Sequence, residues 1–185
     1  MPYGLTRVPL NSRLVRLFAH SMRAIKIMPI RIEYLADHPE CIPALAVWFY
    51  EQWSWFLPPE SSAETIAIKF HTHVNRDAPP IALVAFDGAE LMGTASLRVN
   101  DMDILTDLSP WLGGVYVAQN HRHKGIGRQL VRAVEQKALE LGYRSIYLFT
   151  TDKAPMYSKL GWNVPNRLEY HQHPVVVMHR TLSAT

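Results

Sequence analysis

Cysteine occurs once in the 185 residues, at Cys41, so neither an intramolecular disulfide nor a cysteine zinc cluster can hold the chain together. The fold has to rest on its apolar core, as expected of a protein in a reducing, cytoplasmic setting. Long hydrophobic runs are also missing. Arg, Lys, Asp or Pro interrupts every apolar stretch well before the ~20 residues that a membrane-spanning helix needs. Acidic residues are absent from positions 1–27, which carry Arg7, Arg13, Arg16, Arg23 and Lys26. The net charge of +3 is therefore lopsided, because the rest of the chain holds 14 basic and 16 acidic residues. A slightly acidic globular part gives no reason to expect nucleic acid as a partner. A rival reading, in which the basic segment binds nucleic acid, predicts binding that collapses with added salt and with loss of that segment.

The first 27 residues are read as a basic N-terminal extension, disordered or arising from an upstream start, with a single domain over 28–185. Their Arg-rich, amphipathic character around Leu14, Leu17, Phe18 and Met22 also resembles an organelle transit peptide, and that alternative stays open. A secretory signal is not expected, because no apolar region is followed by a small-residue cleavage site.

From Met28 onward, strand-like and helix-like segments alternate, which is an α/β pattern. Ile30 to Leu35 alternates apolar and polar residues with a period of two, the pattern of a strand with one buried face. Asp37 with Glu40, and then Ser61 with Glu64, read as capping pairs opening two helices. The first carries Ile42, Leu45, Ala46, Phe49 and Trp53 at helical spacing, and Trp48, Phe49 and Trp53 read as its core residues. Asp87-Gly88 between Ile81–Phe86 and Leu91–Val99 predicts a hairpin, since such a turn needs positive φ. An acidic loop, Asn100 to Pro110, leads into a strand over Trp111 to Val117. Gly125 to Leu141 is the clearest helix, with Ile126, Leu130, Val134, Ala138 and Leu141 on one stripe and Glu135 among the polar positions. A strand over Ser145 to Thr150, a short helix over Ala154 to Leu160, a polar stretch Asn163 to His173 and a final strand over Val175 to His179 complete the chain. The order is β-α-α-β-β-β-α-β-α-β-β.

The informative stretch is Val115-Tyr116-Val117-Ala118-Gln119-Asn120-His121-Arg122-His123-Lys124-Gly125-Ile126-Gly127-Arg128, running from strand through a basic loop into the longest helix. A helix N-terminus offers unpaired amides and the positive end of its dipole, and glycines let a ligand's phosphate approach closely. Neither the G-x-x-x-x-G-K-[ST] pattern nor a third glycine for the dinucleotide pattern is present, so nucleoside triphosphate and NAD readings both lose. What fits is Arg122-x-x-Gly125-x-Gly127. Here the chain resembles the GNAT superfamily of N-acetyltransferases, whose acyl-CoA signature is Q/R-x-x-G-x-G/A in that setting. Ala154-Pro155-Met156-Tyr157-Ser158-Lys159-Leu160-Gly161-Trp162 is similar to the family's later motif, and the resemblance covers roughly Ile30 to Leu182.

The resemblance implies a mixed, mostly antiparallel sheet flanked by helices, with acyl-CoA bound at a splayed central strand pair. It implies that amides of His123, Lys124, Gly125, Ile126, Gly127 and Arg128 cradle the pyrophosphate beside Arg122. Main-chain groups of Val115, Tyr116 and Val117 would serve the pantetheine arm, and Tyr157 would be the general acid that protonates the departing thiolate. The activity implied is acetyl transfer from acetyl-CoA to a primary amine, with a non-catalytic acyl-CoA sensor as the alternative. Many relatives carry a Glu just before the V-x-V run, where this chain has Gly113 or Gly114, so the base is not assigned. Glu51, Asp103, Asp107 and His173 are candidates from neighbouring elements. The acidic loop and the aromatic Trp55-Phe56 segment favour a cationic amine, of a class left open, and a monomer and a homodimer are both compatible. His71-x-His73, His121-x-His123 and His171-x-His173 lack a third ligand nearby, so no metal is expected. Cys41 lies near a helix start, where a thiol pKa can fall, yet nothing pairs with it as a base.

Overall fold

The computed structural model describes residues 29–183, so the expectations for the basic segment 1–27 and for a start at Met28 lie outside the described residues. The strands are β1 (Arg31–Tyr34), β2 (Ile81–Asp87), β3 (Glu90–Arg98), β4 (Trp111–Val117), β5 (Ser145–Thr150), β6 (Asn163–Tyr170) and β7 (His173–Thr181). The helices are α1 (Ile42–Trp53), α2 (Ala63–His71), α3 (Ile126–Glu140) and α4 (Ala154–Ser158). One sheet contains all seven strands in the order β1-β2-β3-β4-β5-β7-β6. Every neighbouring pair is antiparallel except β4 and β5, which run parallel and meet at a single pair, Trp111 with Tyr147.

The two faces of the sheet are covered differently. On one face α3 presents Ile126, Leu130, Val131, Val134 and Ala138 to Leu83, Ala95, Leu112 and Ile146, with Tyr157, Leu160 and Trp162 sealing the end. On the other, α1 and α2 cover β2 through Leu45, Ile66 and Phe70 against Ala82, Val84 and Phe86. The acidic loop packs its buried Met102 on Trp111, Val175 and Val177 of that same second face. Full burial of side chains this size stabilises the fold by about 1.5–3 kcal/mol each, so the loop is pinned by Met102 despite its polar sequence.

Four local expectations are corrected. α1 opens after two 3-10 turns with no side-chain cap. Asp37 is drawn instead into an ion pair with Arg76, and Glu40 bonds His38 Nδ1 at 3.2 Å. At α2 the cap is Ser62, whose Oγ accepts from the Thr65 amide at 3.3 Å while Thr65 Oγ1 accepts from the Ser62 amide at 2.9 Å. The predicted pair is thus displaced by one residue, because a hydroxyl at the third helical position closes the box as a carboxylate would. The polar stretch Asn163–His173 is mostly strand β6, and its Pro165 and polar side chains suit a strand at the sheet edge, bonded only to β7. Glu135, placed among the polar positions of α3, is buried.

Candidate active site

β4 and β5 separate immediately after Trp111 and Tyr147. From Leu112 onward β4 keeps its pairing with β3, and the register shifts across Thr94 and Ser96, opposite Gly114 and Val115. Gly114 sits in that irregularity at φ +60°. A Cβ there would lie 2.5 Å from Phe49 Cζ, so only glycine fits both the turn of the chain and the ring above it. Beyond it the Ala118 amide bonds Met92 on β3 at 2.9 Å. By strand alternation the peptide groups of Val115 and Val117 then face away from β3, into the splay. Their side chains pack against the α3 side of the sheet, the cluster that holds Tyr157. Tyr116 points to the opposite face, stacked 5.2 Å from Trp48 and edge-on to Trp53.

The basic loop ends at the N-terminus of α3. His123 (φ 64°) and Gly125 (φ +81°) are left-handed with Lys124 on the ordinary side between them, an alternation that turns successive amides into a concave nest. No atom lies within 4 Å of a Cβ built on Gly125, and a Cβ on Gly127 meets only Val117 Cγ2 at 3.6 Å. The first turn of α3 contains no acid, while Arg122, His123, Lys124 and Arg128 are all exposed around it. Cations at the positive end of a helix dipole are unfavourable unless an anion joins them. Nest, dipole and side chains therefore favour an anion, and nothing crowds the Cβ position of Gly125 at its centre. Of Ile126 only the amide is at that end of the helix, since its side chain is in the core. Arg122 folds back from the loop: Nε donates to the Val117 carbonyl at 3.0 Å, Nη2 donates to Gln52 at 3.2 Å, and the guanidinium lies over the Tyr116 ring. It ties the end of β4 to α1 and occupies one of the two main-chain groups that Val117 offers the splay.

Tyr157 on α4 is buried at 7% exposure, with its ring edge-on to Trp162 at 6.0 Å. Burial first, and the Asp152 charge second, push its phenol above the usual tyrosine range, so it holds its proton. Trp162 in turn donates Nε1–H to Glu135 Oε1 at 2.9 Å. The Glu135 carboxylate, 7% exposed, also meets Arg180 Nε at 3.4 Å and Arg132 at 3.1 Å. Sequence reasoning missed this network. Its signal was available only as the pairing of a helix acid with the tryptophan of the Gly161-Trp162 step.

On the second face, Phe56 packs 5.8 Å from Phe149, 5.9 Å from Tyr170 and 5.4 Å from His171, while Trp55 stands edge-on to His173 at 4.8 Å. This is the predicted aromatic wall, completed by the β6–β7 hairpin. Trp48, Phe49 and Trp53 are half-buried: Trp48 and Phe49 pack against the second-face core as expected, Trp53 stands edge-on to Phe49, and Trp48 also borders the space over β4. A cleft of about 390 Å³ lies there, bordered by Trp48, Glu51, Gln52, Glu90, Tyr116 and Arg122. Among the base candidates, Glu51 sits in that cleft, His173 is held against Trp55, Asp103 is exposed near Tyr170, and Asp107 is exposed. The structure does not bring these four together.

Where a strand carboxylate was sought, the space over Gly113 is taken by other residues: a Cβ there would lie 2.7 Å from Asp101 Oδ2 and 2.9 Å from Arg98 Nε. Asp101 and Arg98 form an ion pair, at 12% and 23% side-chain exposure. Beyond Arg98, His73 reaches Ser96 Oγ at 3.5 Å, and burial, then the charges of Arg98 and Lys69, lower its pKa to about 3. Cys41 corrects its expectation in the other direction, since burial and then Glu40 push its thiol pKa up. Among the described residues, no group of three or more His, Cys, Asp or Glu could hold a metal ion, and no helix is long and apolar enough to cross a membrane.

No curated protein matches the chain in sequence. Among solved structures, an aminoglycoside 6'-acetyltransferase type Ii is 24% identical with a TM-score of 0.65, covering 85% of this chain and 99% of its own. Ard1 from Thermoplasma volcanium is 15% identical with a TM-score of 0.65, covering 85% and 100%. YncA from Salmonella typhimurium, solved with its cofactor acetyl-CoA, is 14% identical with a TM-score of 0.64, covering 85% and 96%. At such identities these likenesses speak for the fold, which they share across nearly their whole length. Residues 42–162 match the model of the Acetyltransferase (GNAT) family, from α1 through the splayed strands to Trp162, and the chain belongs to that family.

Proposed function

We propose that the protein transfers an acetyl group from acetyl-CoA to a cationic primary amine by direct attack in a ternary complex. The observation that carries this reading is the free edge of β4 beyond Trp111, which ends at an anion-selective helix N-terminus. An extended thioester arm pairs with the main chain of Val115 and Val117, and its diphosphate rests on the amides of His123 to Arg128. Tyr157, its phenol held protonated by burial, donates its proton to the sulfur as the C–S bond breaks. The amine enters from the other face, between the Trp55–Phe56 segment, the β6–β7 hairpin and the acidic loop, a surface of aromatic rings and carboxylates suited to a cation. An aminoglycoside, a polyamine and a peptide or protein amine all fit that description, and the structural likeness to an aminoglycoside acetyltransferase puts the first at the head of a substrate panel. The single cysteine suits work in a reducing compartment such as the cytoplasm.

A thermal-shift titration tests the donor half without knowledge of the amine, since a ligand bound to the native state raises Tm by mass action. Acetyl-CoA and CoA should raise Tm and ATP should not. No rise with any of them overturns the reading. Tyr157→Phe should then lose roughly 10²–10⁴ in kcat while keeping the acetyl-CoA shift. Unchanged turnover would remove Tyr157 from the chemistry.

A further inference from the structure

We infer that Asp101 takes the proton from the attacking amine, its carboxylate delivered over Gly113 from the acidic loop. The inference rests on the acetyl-transfer reading above and adds the one role which that reading leaves empty. An ammonium has no lone pair, so a proton acceptor must stand near the point where amine nitrogen and thioester carbon meet.

The strand that borders the splay has no side chain of its own there, because Gly113 and Gly114 follow each other. The reason is steric: Asp101 Oδ2 lies 2.7 Å from the Cβ position of Gly113, so a strand side chain and the loop carboxylate exclude one another. Gly113 is two residues past Trp111, the last β4 residue paired with β5, and two before Val115. At the rise of a strand the Cα of Gly113 is about 7 Å from that of Val115, so the carboxylate stands over the start of the splay. The carboxylate is on the cleft face, near enough to Tyr170 for its charge to act on that phenol, and Tyr170 packs on Phe56. Its position is held at both ends, by Arg98 and by the burial of the next residue, Met102.

The charged and titratable groups around Asp101 are Arg98 of β3, Tyr170 of β6, Asp103 of its own loop and, beyond Arg98, His73. The other acids are placed elsewhere. Glu135 is on the opposite face and tied to Trp162 and Arg180, Glu51 is in the cleft beyond Tyr116, and Asp103 and Asp107 are exposed. In the step, the ammonium first gives one proton to Asp101, the freed lone pair of the nitrogen bonds the thioester carbon, the C–S bond breaks as sulfur takes the Tyr157 proton, and the second nitrogen proton, lost as the amide forms, returns through solvent to the Tyr157 phenolate while Asp101 releases its own to water.

The test compares Asp101→Asn, Asp101→Glu and Arg98→Gln with the parent protein, using kanamycin, spermidine and a peptide with a free N-terminus as probe amines. Acetyl-CoA thermal shifts are measured on each, so that folding and donor binding are read apart from turnover. A base that works on the bound ammonium makes the parent's kcat/KM for the amine nearly flat between pH 7 and 9. Asp101→Asn should be about 100-fold slower at pH 7 and should climb roughly tenfold per pH unit toward the amine's own pKa, as free amine becomes available. Asp101→Glu should restore part of the rate and the flat profile. Arg98→Gln should keep the flat profile. If Asp101→Asn matches the parent, or if it and Arg98→Gln show the same pH-independent loss, the inference fails and Asp101 merely holds Arg98. A parent that shows no acetyl-CoA shift, or that binds acetyl-CoA and acetylates none of the three amines, overturns the acetyl-transfer reading and the inference with it.

Discussion

Gly114→Ala is the perturbation that best tests how β4 is held at its departure from β5. Alanine at φ +60° costs about 1–2 kcal/mol for the left-handed conformation alone. Its Cβ would also stand 2.5 Å from Phe49 Cζ and 2.8 Å from Arg98 Nη2. The guanidinium can swing aside, but the Phe49 ring is wedged between Trp53 at 4.6 Å and Phe70 at 4.8 Å. Overpacking against a ring so enclosed adds about 1–3 kcal/mol, for roughly 2–5 kcal/mol in all. Gly88→Ala is the matched control: φ is +59° and nothing lies within 4 Å of the new Cβ, so only the conformational cost of about 1–2 kcal/mol applies. Urea unfolding at constant m reads both values, and the difference between the two variants isolates the clash with Phe49. In a thermal melt, each kcal/mol should lower Tm by roughly 2–4 °C for a chain of this size. If Gly114→Ala is no more destabilised than Gly88→Ala, the ring does not confine the strand, and the account of why glycine stands there is wrong.

Glu135→Leu should cost about 3–5 kcal/mol, because it leaves Arg180 partly buried without its carboxylate and takes the acceptor from Trp162 Nε1. Glu135→Gln, which keeps an acceptor for the indole, should cost distinctly less, and equal losses in denaturant melts would refute the hydrogen bond's share. His73 makes a prediction about acid. Its ordinary pKa is 6.5 and the folded value is about 3, so below pH 6.5 the unfolded chain takes up a proton that the folded chain refuses. The stability it contributes is complete above pH 6.5 and is lost as pH falls through that window toward 3. His73→Phe should therefore flatten Tm against pH between 6.5 and 4, and parallel curves for the two proteins would sink the idea.

What could be read from sequence was whatever local chemistry decides. Asp87-Gly88 dictates a hairpin because the turn needs positive φ, and the apolar stripe of α3 dictates its buried face; both elements lie where the pattern put them. The expected order ends in two strands, as observed, but the bounds of edge strand β6 escaped because it buries almost nothing and carries no period-two signal. Glu135 escaped because its partners, Trp162 and Arg180, are brought to it only by the packing of α3 under α4 and β7. The strand glycines show the same division inside the site. Gly113 and Gly114 read as the loss of a carboxylate, since a sequence shows which side chain is missing from a strand but not what fills the space that it vacates. Here that space belongs to Arg98, two residues along β3 from Ser96, the partner of Gly113, and to Asp101, which returns to the strand because Met102 buries and folds the loop down. A carboxylate fixed to β4 would be carried by a strand that must also part from β5. One carried by the loop is set by Arg98 and Met102 instead, so its placement does not depend on how β4 parts from β5.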